Sequence, residues 1–588
     1  MHAESLKLAA QWEQELGDPR QSDALLCFAD TLREDEAEVF PQTSLEQLRR
    51  LGLFDQLVPS RLGGQLQEPE RILTLSRILS RRDLSTVIAF GQTLLGSLPI
   101  WLAGSPAQQA AHARSLRAGG LACLALTERA HGSDILSTEF RVEAEADGQH
   151  LRIQGEKWLI NNGSRGASAT VLACQHHADG RKELVLLRLS RPEPDADPSW
   201  HSLPKNATHG IRGADISGFA LQDHRCLAAD VSLPRQEPAL NLVLKTLQIS
   251  RILCAGFSLG ATDTLLRLTL EFASQRQLYG KTVTQIPAAR AKLAHSYARL
   301  LCNDLLAQAC TRAIARLPAE LSVLSPICKY QLPVSCEAVA RELAQVLGAR
   351  HYLRSQDALG MFQKMARDLQ VVSLFDGSTQ VNLGLLAAQL RQLQPTLLQC
   401  WQEGSSAREA LLEDARALLR SEAAACDWPD SKDLRLSSQG QDRLMQAYLV
   451  WRREPGACEG AVSEEGAVAS ALHALDQRLQ QCLSEIEQHF WVQRLPVDSC
   501  AAQQLAVDYA RLWSACALAL AWSFAQESSS TVAAPQLDSD LLLEGLRQTL
   551  PDLRIPACEA RDQRLLEAAL SCVKQRRLFS LSPLPAAW

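Results

Sequence analysis

The sequence predicts an α+β fold, mainly α, in which a β-domain is set between helical ones. Apolar residues recur at helical spacing up to about residue 120, then alternate with polar ones to about 235, then return to helical spacing. An Asp-Gly pair inside the alternating stretch marks a hairpin. At 588 residues the chain is too long for one compact core, so three or four domains are expected.

Residues 1–120 form the first expected domain, and it is helical. FPQTSLEQLRRLGLFDQLVPSRLGG places Leu45, Leu48, Leu51 and Leu53 at roughly helical spacing and ends in the breaker-rich VPSRLGG. RILTLSRILSRRDLSTVIAF continues in the same manner. Residues 121–235 form the β-domain: FRVEAEADGQHLRIQGEKWLI alternates on both sides of its turn, and TVLACQ, KELVLLRLS and ISGFALQDHRCL continue as strands. Residues 236–395 return to helices. NLVLKTLQISRILCAGFSLGATDTLLRLTLEFASQR contains no proline and predicts one or two helices of bundle length. Residues 396–588 form a further helical segment, with DWPDSKDLRLSSQG and ESSSTVAAPQLDSD as linkers.

Composition narrows the function classes. The chain is 46% hydrophobic and 21% charged with a formal net charge of −6, and it has no basic run, so a nucleic-acid partner is not expected. The amino terminus carries acids in its first turns and lacks the pattern of a signal or transit peptide. Glycine and proline interrupt the charge-free stretch Ser85–Ala113, and Leu512–Ala525 is too short for a bilayer. Both read as buried core helices, and no transmembrane segment is expected. The 17 cysteines are scattered, the nearest pairs being Cys302/Cys310 and Cys328/Cys336. No metal-ligand spacing appears among them. They predict small buried apolar residues in a reducing compartment, hence a cytoplasmic protein with no metal.

Several short segments carry chemistry-bearing residues, each with an ordinary reading beside the functional one. LALTERAHGSD, Leu124 to Asp134, can offer backbone and hydroxyl donors to a polar cofactor, or be a solvated loop. In GEKWLINNG, Trp158 and Leu159 can pack on a flavin ring and Asn161 can bond its edge, or the Trp can fill a β-core. In ASQRQLYGK, Arg276 can grip a pyrophosphate, or cap a helix in solvent. QVLGARHY and ARDLQVVSLFDGSTQVNLG complete the series, with Asp376-Gly377-Ser378 resembling a tight turn before a helix. No GxGxxG follows a strand, so a Rossmann-type dinucleotide site is unsupported.

Taken in order, LTE…GSD, GEKW.I.NG, R..YGK and Q.LG…Y…RD…DGS resemble the acyl-CoA dehydrogenase family, from about residue 35 to residue 395. The resemblance implies a helical amino-terminal domain, a β-domain and a carboxy-terminal four-helix bundle with FAD between them. It implies α,β-dehydrogenation of an acyl thioester, carried on coenzyme A or an acyl carrier protein. Electrons would pass to an acceptor such as an electron-transfer flavoprotein, and the chain would form a homodimer. The base position falls on Asp376, where most members have Glu. The position some members use instead falls on Ser250, which is no base alone. FAD contacts are implied for Leu126, Thr127, Gly132, Ser133, Leu159, Asn161, Ser378 and Gln380. Arg276 and Tyr279 are implied to reach a neighbouring subunit's FAD, and Gln345 and Gly348 its adenosine side. Substrate contacts are implied for Ser133, Arg251, Phe375 and Gly377. Leu159 stands where Trp is frequent, Asn161 where Thr is usual, Ala349 for the second Gly of a pair, and Arg129-Ala130-His131 for Pro-Gly-Ala. A flavin oxidase, or a flavin-binding scaffold without turnover, are the alternatives. The helices after residue 396 mix both charge signs and predict a packed domain that sets oligomeric state, not a membrane-surface helix.

Overall fold

The computed structural model describes residues 3–193, 196–234, 236–354, 357–420, 428–453, 465–527 and 537–588. Six helices open the chain: α1 (Ala3–Leu16), α2 (Phe28–Ala37), α3 (Gln42–Arg50), α4 (Pro69–Ser80), α5 (Leu84–Ala103) and α6 (Pro106–Arg117). The apolar run that the sequence places over α4 and α5 breaks at Arg81-Arg82-Asp83. Asp83 takes an extended backbone, and its carboxylate accepts from Ser85 N (3.2 Å) and Thr86 N (2.8 Å), starting α5 afresh. α5 is apolar all round, and nearly every residue along it is buried.

Seven strands come next: β1 (Ala122–Ala125), β2 (Arg141–Ala144), β3 (His150–Asn161), β4 (Ser168–His176), β5 (Lys182–Ser190), β6 (Trp200–Leu203) and β7 (Ile216–Leu227). They lie in the order β1-β4-β2-β3-β7-β6, with β5 also paired to β4. β2 and β3 form the expected antiparallel hairpin around Asp147-Gly148, and Gly148 has φ +67°. β1 and β2 both run parallel to β4. β3 pairs with β7 through two irregularities, at Ile153/Gly155 and at Trp158/Ile160. The second one shapes the candidate site.

A short α7 (Ala228–Val231) leads into α8 (Ala239–Leu253) and α9 (Ala255–Gln275), two helices separated at Cys254. After the small hairpin β8 (Gln277–Leu278) and β9 (Lys281–Thr282) come α10 (Pro287–Arg316), α11 (Leu321–Leu347), α12 (Gly360–Asp368) and α13 (Thr379–Glu403). α11 is central and packs against α8, α9, α10 and α13. α5 and the α8–α9 pair are long and apolar enough to cross a membrane, but 89% of each such window is buried inside the folded body. Their apolar surface is used as protein core.

The last part is helical: α14 (Arg408–Leu419), α15 (Arg443–Arg452), α16 (Glu465–Glu487), α17 (Cys500–Glu527), α18 (Ser539–Thr549) and α19 (Glu559–Lys574). Of the linker ESSSTVAAPQLDSD, residues 528–536 lie outside the described residues. Buried polar groups dock this part. Asp442 caps α15 and accepts from Tyr509 Oη (2.7 Å) and Trp513 Nε1 (3.2 Å) on α17, while Glu320 before α11 accepts from Arg443 N (3.0 Å). The segment after α19 then crosses back over the amino-terminal helices. Phe579 N donates to Asp263 (2.9 Å), Arg77 donates to Phe579 O (2.7 Å), and Ala587 N donates to Glu13 (2.8 Å).

One buried lysine joins the three leading parts of the chain. Lys364 of α12 donates to Asp83 (2.7 Å) and Asp368 (2.6 Å), and Asp368 in turn accepts from Ile211 N (2.5 Å) in the loop before β7. All three side chains are buried. Lys364→Met leaves two carboxylates without their cation, so it should cost about 3–5 kcal/mol of stability, read as a lower urea midpoint. An unchanged midpoint would show that the junction is held elsewhere.

Candidate active site

Asp376 stands on a turn between a 3₁₀ segment, Leu369–Ser373, and the start of α13. Asp376 has φ +55° and Gly377 φ +98°, two successive left-handed residues. Such backbone costs an ordinary side chain about 1–3 kcal/mol and persists only where surroundings impose it. Gly377 is required for a second reason: a Cβ there would lie 2.9 Å from Arg251 Nη2. Ser378 closes the turn as the N-cap of α13, accepting from Val381 N, and Asn382 Nδ2 donates to the carbonyls of Gly377 (2.8 Å) and Ser378 (2.9 Å). The tight turn before a helix expected from Asp376-Gly377-Ser378 is therefore present.

Two buried cations hold this turn by its carbonyls. Arg251 of α8 donates from Nε to Asp376 O (2.7 Å). Lys329 of α11 donates to Val372 O (2.5 Å) and Phe375 O (2.6 Å), and its ammonium lies 4.8 Å from the centroid of the Phe375 ring. Phe375 also packs on Phe257 of α9, centroids 6.3 Å apart. Burial raises the Asp376 carboxyl pKa, while Lys329, Arg251 and hydrogen bonds with Ser250 and Gln92 pull it down; the net direction is up. Burial also lowers both cations, Arg251 to about 10.

The two loops expected at the cofactor are brought together by β3. Trp158 N donates to Thr127 O (3.0 Å) and Lys157 Nζ to Leu126 O (3.0 Å), so Leu126 and Thr127 lie against the strand that carries Leu159 and Asn161. At the second β3 irregularity Leu159 has φ +55° and is 40% exposed, turned out of the sheet. Asn161 buries its carbonyl oxygen with no hydrogen-bond partner. Trp158 is covered by Arg129, whose guanidinium is 5.0 Å from its ring centroid and which also pairs with Glu156 (2.5 Å). That Trp packs on its own loop. Gly132 and Ser133 are exposed.

A buried ion pair, not foreseen from the sequence, fixes the loops to each other. Lys157 donates to Glu128 (2.7 Å) and to Thr138 Oγ1 (3.1 Å), and Glu128 also accepts from Glu139 N (2.9 Å) and from Thr138. Burial brings the Lys157 ammonium down to about 8, which leaves it charged at neutral pH. Glu128 and Lys157 lie inside the quoted motifs, but only the fold shows that they meet. α5 then lies between the loops and the acid. Asn162 Nδ2 donates to Ala89 O (2.9 Å) and Ala122 O (3.1 Å), and Gln92, one turn further along α5, is close enough to the Asp376 carboxylate to lower its pKa.

The remaining expected contacts lie apart from this cluster of bonds. Arg276 ends α9 and is exposed; Tyr279 and Gly280 form the β8–β9 turn with φ +52° and +76°, and Tyr279 is 97% exposed. Gln345 near the end of α11 accepts from Lys292, and Gly348 ends that helix with φ +61°. Gln380 is exposed in the first turn of α13. A cavity of about 560 Å³ on the sheet, beside Ser137, Arg141, His176 and Lys182, includes none of the expected site residues.

Three family models match in chain order: the acyl-CoA dehydrogenase N-terminal domain over residues 27–120, the middle domain over 123–224 and the C-terminal domain over 240–391. Together they span more than half of the sequence. The chain belongs to the acyl-CoA dehydrogenase family. Its curated relatives include cyclohex-1-ene-1-carbonyl-CoA dehydrogenase of Geobacter metallireducens, 24% identical over 60% of this chain and 90% of that protein. They also include the human mitochondrial short-chain specific acyl-CoA dehydrogenase, 25% identical over 60% of this chain and 84% of that protein. An acyl-CoA dehydrogenase of Bacillus anthracis, solved with FAD, superposes with a TM-score of 0.70 at 16% identity, over 100% of this chain and 93% of its own. The acyl-CoA dehydrogenase fold, with additional carboxy-terminal helices, is thereby established. The family is one of FAD-dependent oxidoreductases.

Glu128→Ala in this acyl-CoA dehydrogenase-family chain leaves the Lys157 charge buried without its partner. Stability should fall by about 3–5 kcal/mol in urea unfolding, and less FAD should survive gel filtration. Replacing both members by apolar residues, Glu128→Leu with Lys157→Met, should recover most of that loss. A single variant with wild-type midpoint and full FAD would contradict the role given to the pair.

Proposed function

We propose that the chain forms a 2,3-enoyl thioester from a saturated acyl thioester of coenzyme A or an acyl carrier protein, with Asp376 as the α-proton base. The observation that carries this is the Asp376 carboxyl itself. It is desolvated, has the neutral polar side chains of Ser250 and Gln92 beside it, and is faced by two cations that are engaged with main-chain carbonyls and form no tight ion pair with it. Desolvation gives it more proton affinity than an ordinary aspartate, which suits a base that must take a proton from carbon. The cations oppose that rise in pKa. The Asp376 N–H meets no acceptor among the described residues, which leaves it to donate to the thioester oxygen as negative charge develops there.

The residues present fit FAD. Asn161 holds a buried oxygen without a partner at the edge of the site, and a Cβ on Gly132 would meet nothing within 4 Å, so the loop there is open. Leu126, Thr127, Gly132, Ser133, Leu159 and Asn161 would hold the flavin end, with Ser378 and Gln380 near the base. Bound FAD supplies the acceptor for the β-hydride. Arg276, Tyr279, Gln345 and Gly348 suit contacts with a second copy's cofactor in a homodimer, since the Tyr279 hairpin stands almost free of its own chain. Ser133, Arg251, Phe375 and Gly377 border the thioester, and an electron-transfer flavoprotein would reoxidise the enzyme.

Aspartate is one methylene shorter than the glutamate frequent in the family, about 1.5 Å of bond length. The short arm has little reach of its own, so the backbone of the turn must supply it. Asp376→Asn should retain FAD, seen as unchanged flavin absorbance. It should slow anaerobic flavin bleaching by acyl thioesters by about 100-fold to 10,000-fold. Bleaching at the wild-type rate would remove Asp376 from the mechanism.

A further inference from the structure

Lys329 is 2% exposed, and among the described residues it makes no ion pair at salt-bridge distance. A buried ammonium without a carboxylate partner is costly, so its place on α11 calls for a local reason. The reason is visible in its bonds. The ammonium is directed at the main chain just before the base, at Val372 O (2.5 Å) and Phe375 O (2.6 Å), and the Phe375 ring lies beside it. The Val372 bond anchors the segment that leads into the turn. The Phe375 carbonyl lies in the plane of the peptide that joins Phe375 to Asp376, so holding it sets that plane and hence the direction in which the Asp376 side chain leaves the backbone.

We propose that Lys329 is a positioning residue for the base, holding the Val372–Phe375 backbone so that the short Asp376 arm is aimed at the substrate α-carbon. The proposal rests on Asp376 being the base. Arg251 holds the next carbonyl, that of Asp376 itself, from the other side, so the base is gripped on both flanks by cations from different helices. Ser250 and Gln92 lie near the tip of the side chain and cannot set the path of the backbone. The charged and titratable groups around the acid are few. α8 contributes Arg251, with Cys254 at its end, α11 contributes Lys329 and Cys328, and α5 contributes only the neutral Gln92. Burial pushes the Cys254 thiol up to about 12, and the neighbouring Cys310 thiol together with burial raises Cys328, so both stay neutral. Lys329 is therefore one of two charges that oppose desolvation of the acid.

The test compares Lys329→Met, Lys329→Gln and Lys329→Arg as FAD-loaded enzymes. Each is mixed anaerobically with the acyl-CoA that bleaches wild type fastest, across the pH range in which wild type stays folded. Met and Gln should slow flavin reduction by about 100-fold at neutral pH, the scale of a 1 Å misplacement. The limb of the pH profile that reports the base should move to higher pH, and Arg should restore the rate to within about 10-fold of wild type. Wild-type rates and profile in Met or Gln would overturn the proposal. A slowed enzyme with an unmoved profile and no rescue by Arg would overturn it as well, as simple damage to the core.

Thermal unfolding without substrate gives a second reading should Met not fold. The folded pKa of Asp376 lies above its unfolded value, so stability falls as pH rises through it. In Lys329→Gln that fall should be larger, and adding Asp376→Asn should remove it; equal pH dependence in Lys329→Gln and wild type would count against the proposal. If Asp376→Asn still turns over, the base assignment fails. If it is dead while the Lys329 variants behave as wild type, only the positioning role fails.

Discussion

A left-handed aspartate, held by cations that bond its flanking carbonyls, is the constraint around which this face of the bundle is organised. Asp376 at φ +55° would relax if the chain before and after it were free. Lys329 holds the residues before it, Arg251 holds its own carbonyl, and the capped start of α13 holds the residues after it. Each holding group comes from a different long helix, so the turn inherits the rigidity of the bundle. Burying these cations is unfavourable by itself. The carbonyl bonds and the nearby carboxylate offset part of that cost, and the rest is carried by the apolar packing of α8, α9 and α11.

α5 connects this turn to the β-domain. Along one turn of that helix, Ala89 accepts from Asn162 just after β3, and Gln92 lies near the acid. The loop around Thr127 is tied to β3 by a main-chain bond and by the buried Lys157–Glu128 pair. The groups expected to meet a flavin and the group expected to take a proton are thus registered against one apolar helix. Lys364, by holding the Asp83 cap at the start of that helix, fixes α5 against α12 and the loop at Ile211. The carboxy-terminal part closes the opposite side, with Phe579 and Ala587 bonded into the Arg77, Asp263 and Glu13 network.

Much of this architecture was legible in the sequence because hydrophobic period and turn chemistry are local. The β2–β3 hairpin comes from Asp147-Gly148, whereas the break at Asp83 between α4 and α5 is hidden by an apolar period that continues across it. The position of Asp376 in a turn before a helix was legible for the same reason as the hairpin. The hidden part depends on partners far apart in the chain. Lys329 lies within an apolar helix, and nothing near it in sequence shows that it meets carbonyls more than forty residues later. Gln92 and Asp376 are likewise joined only by packing. Within GEKWLINNG, the Trp offers an aromatic face that sequence reasoning could assign to a flavin, and only the fold shows that Arg129 lies over one of its two faces. The adjacent Leu159 turns outward because the strand is irregular there, a feature set by pairing with β7.

The aim of the Asp376 carboxylate is the central point, and a structure of the FAD-loaded protein with a non-reacting acyl thioester measures it directly. A carboxylate oxygen should lie about 3–3.5 Å from the substrate α-carbon, with the Lys329 and Arg251 bonds to the turn intact. A complex in which that oxygen points away, and another acid stands over the α-carbon, would contradict the assignment of Asp376 as the base.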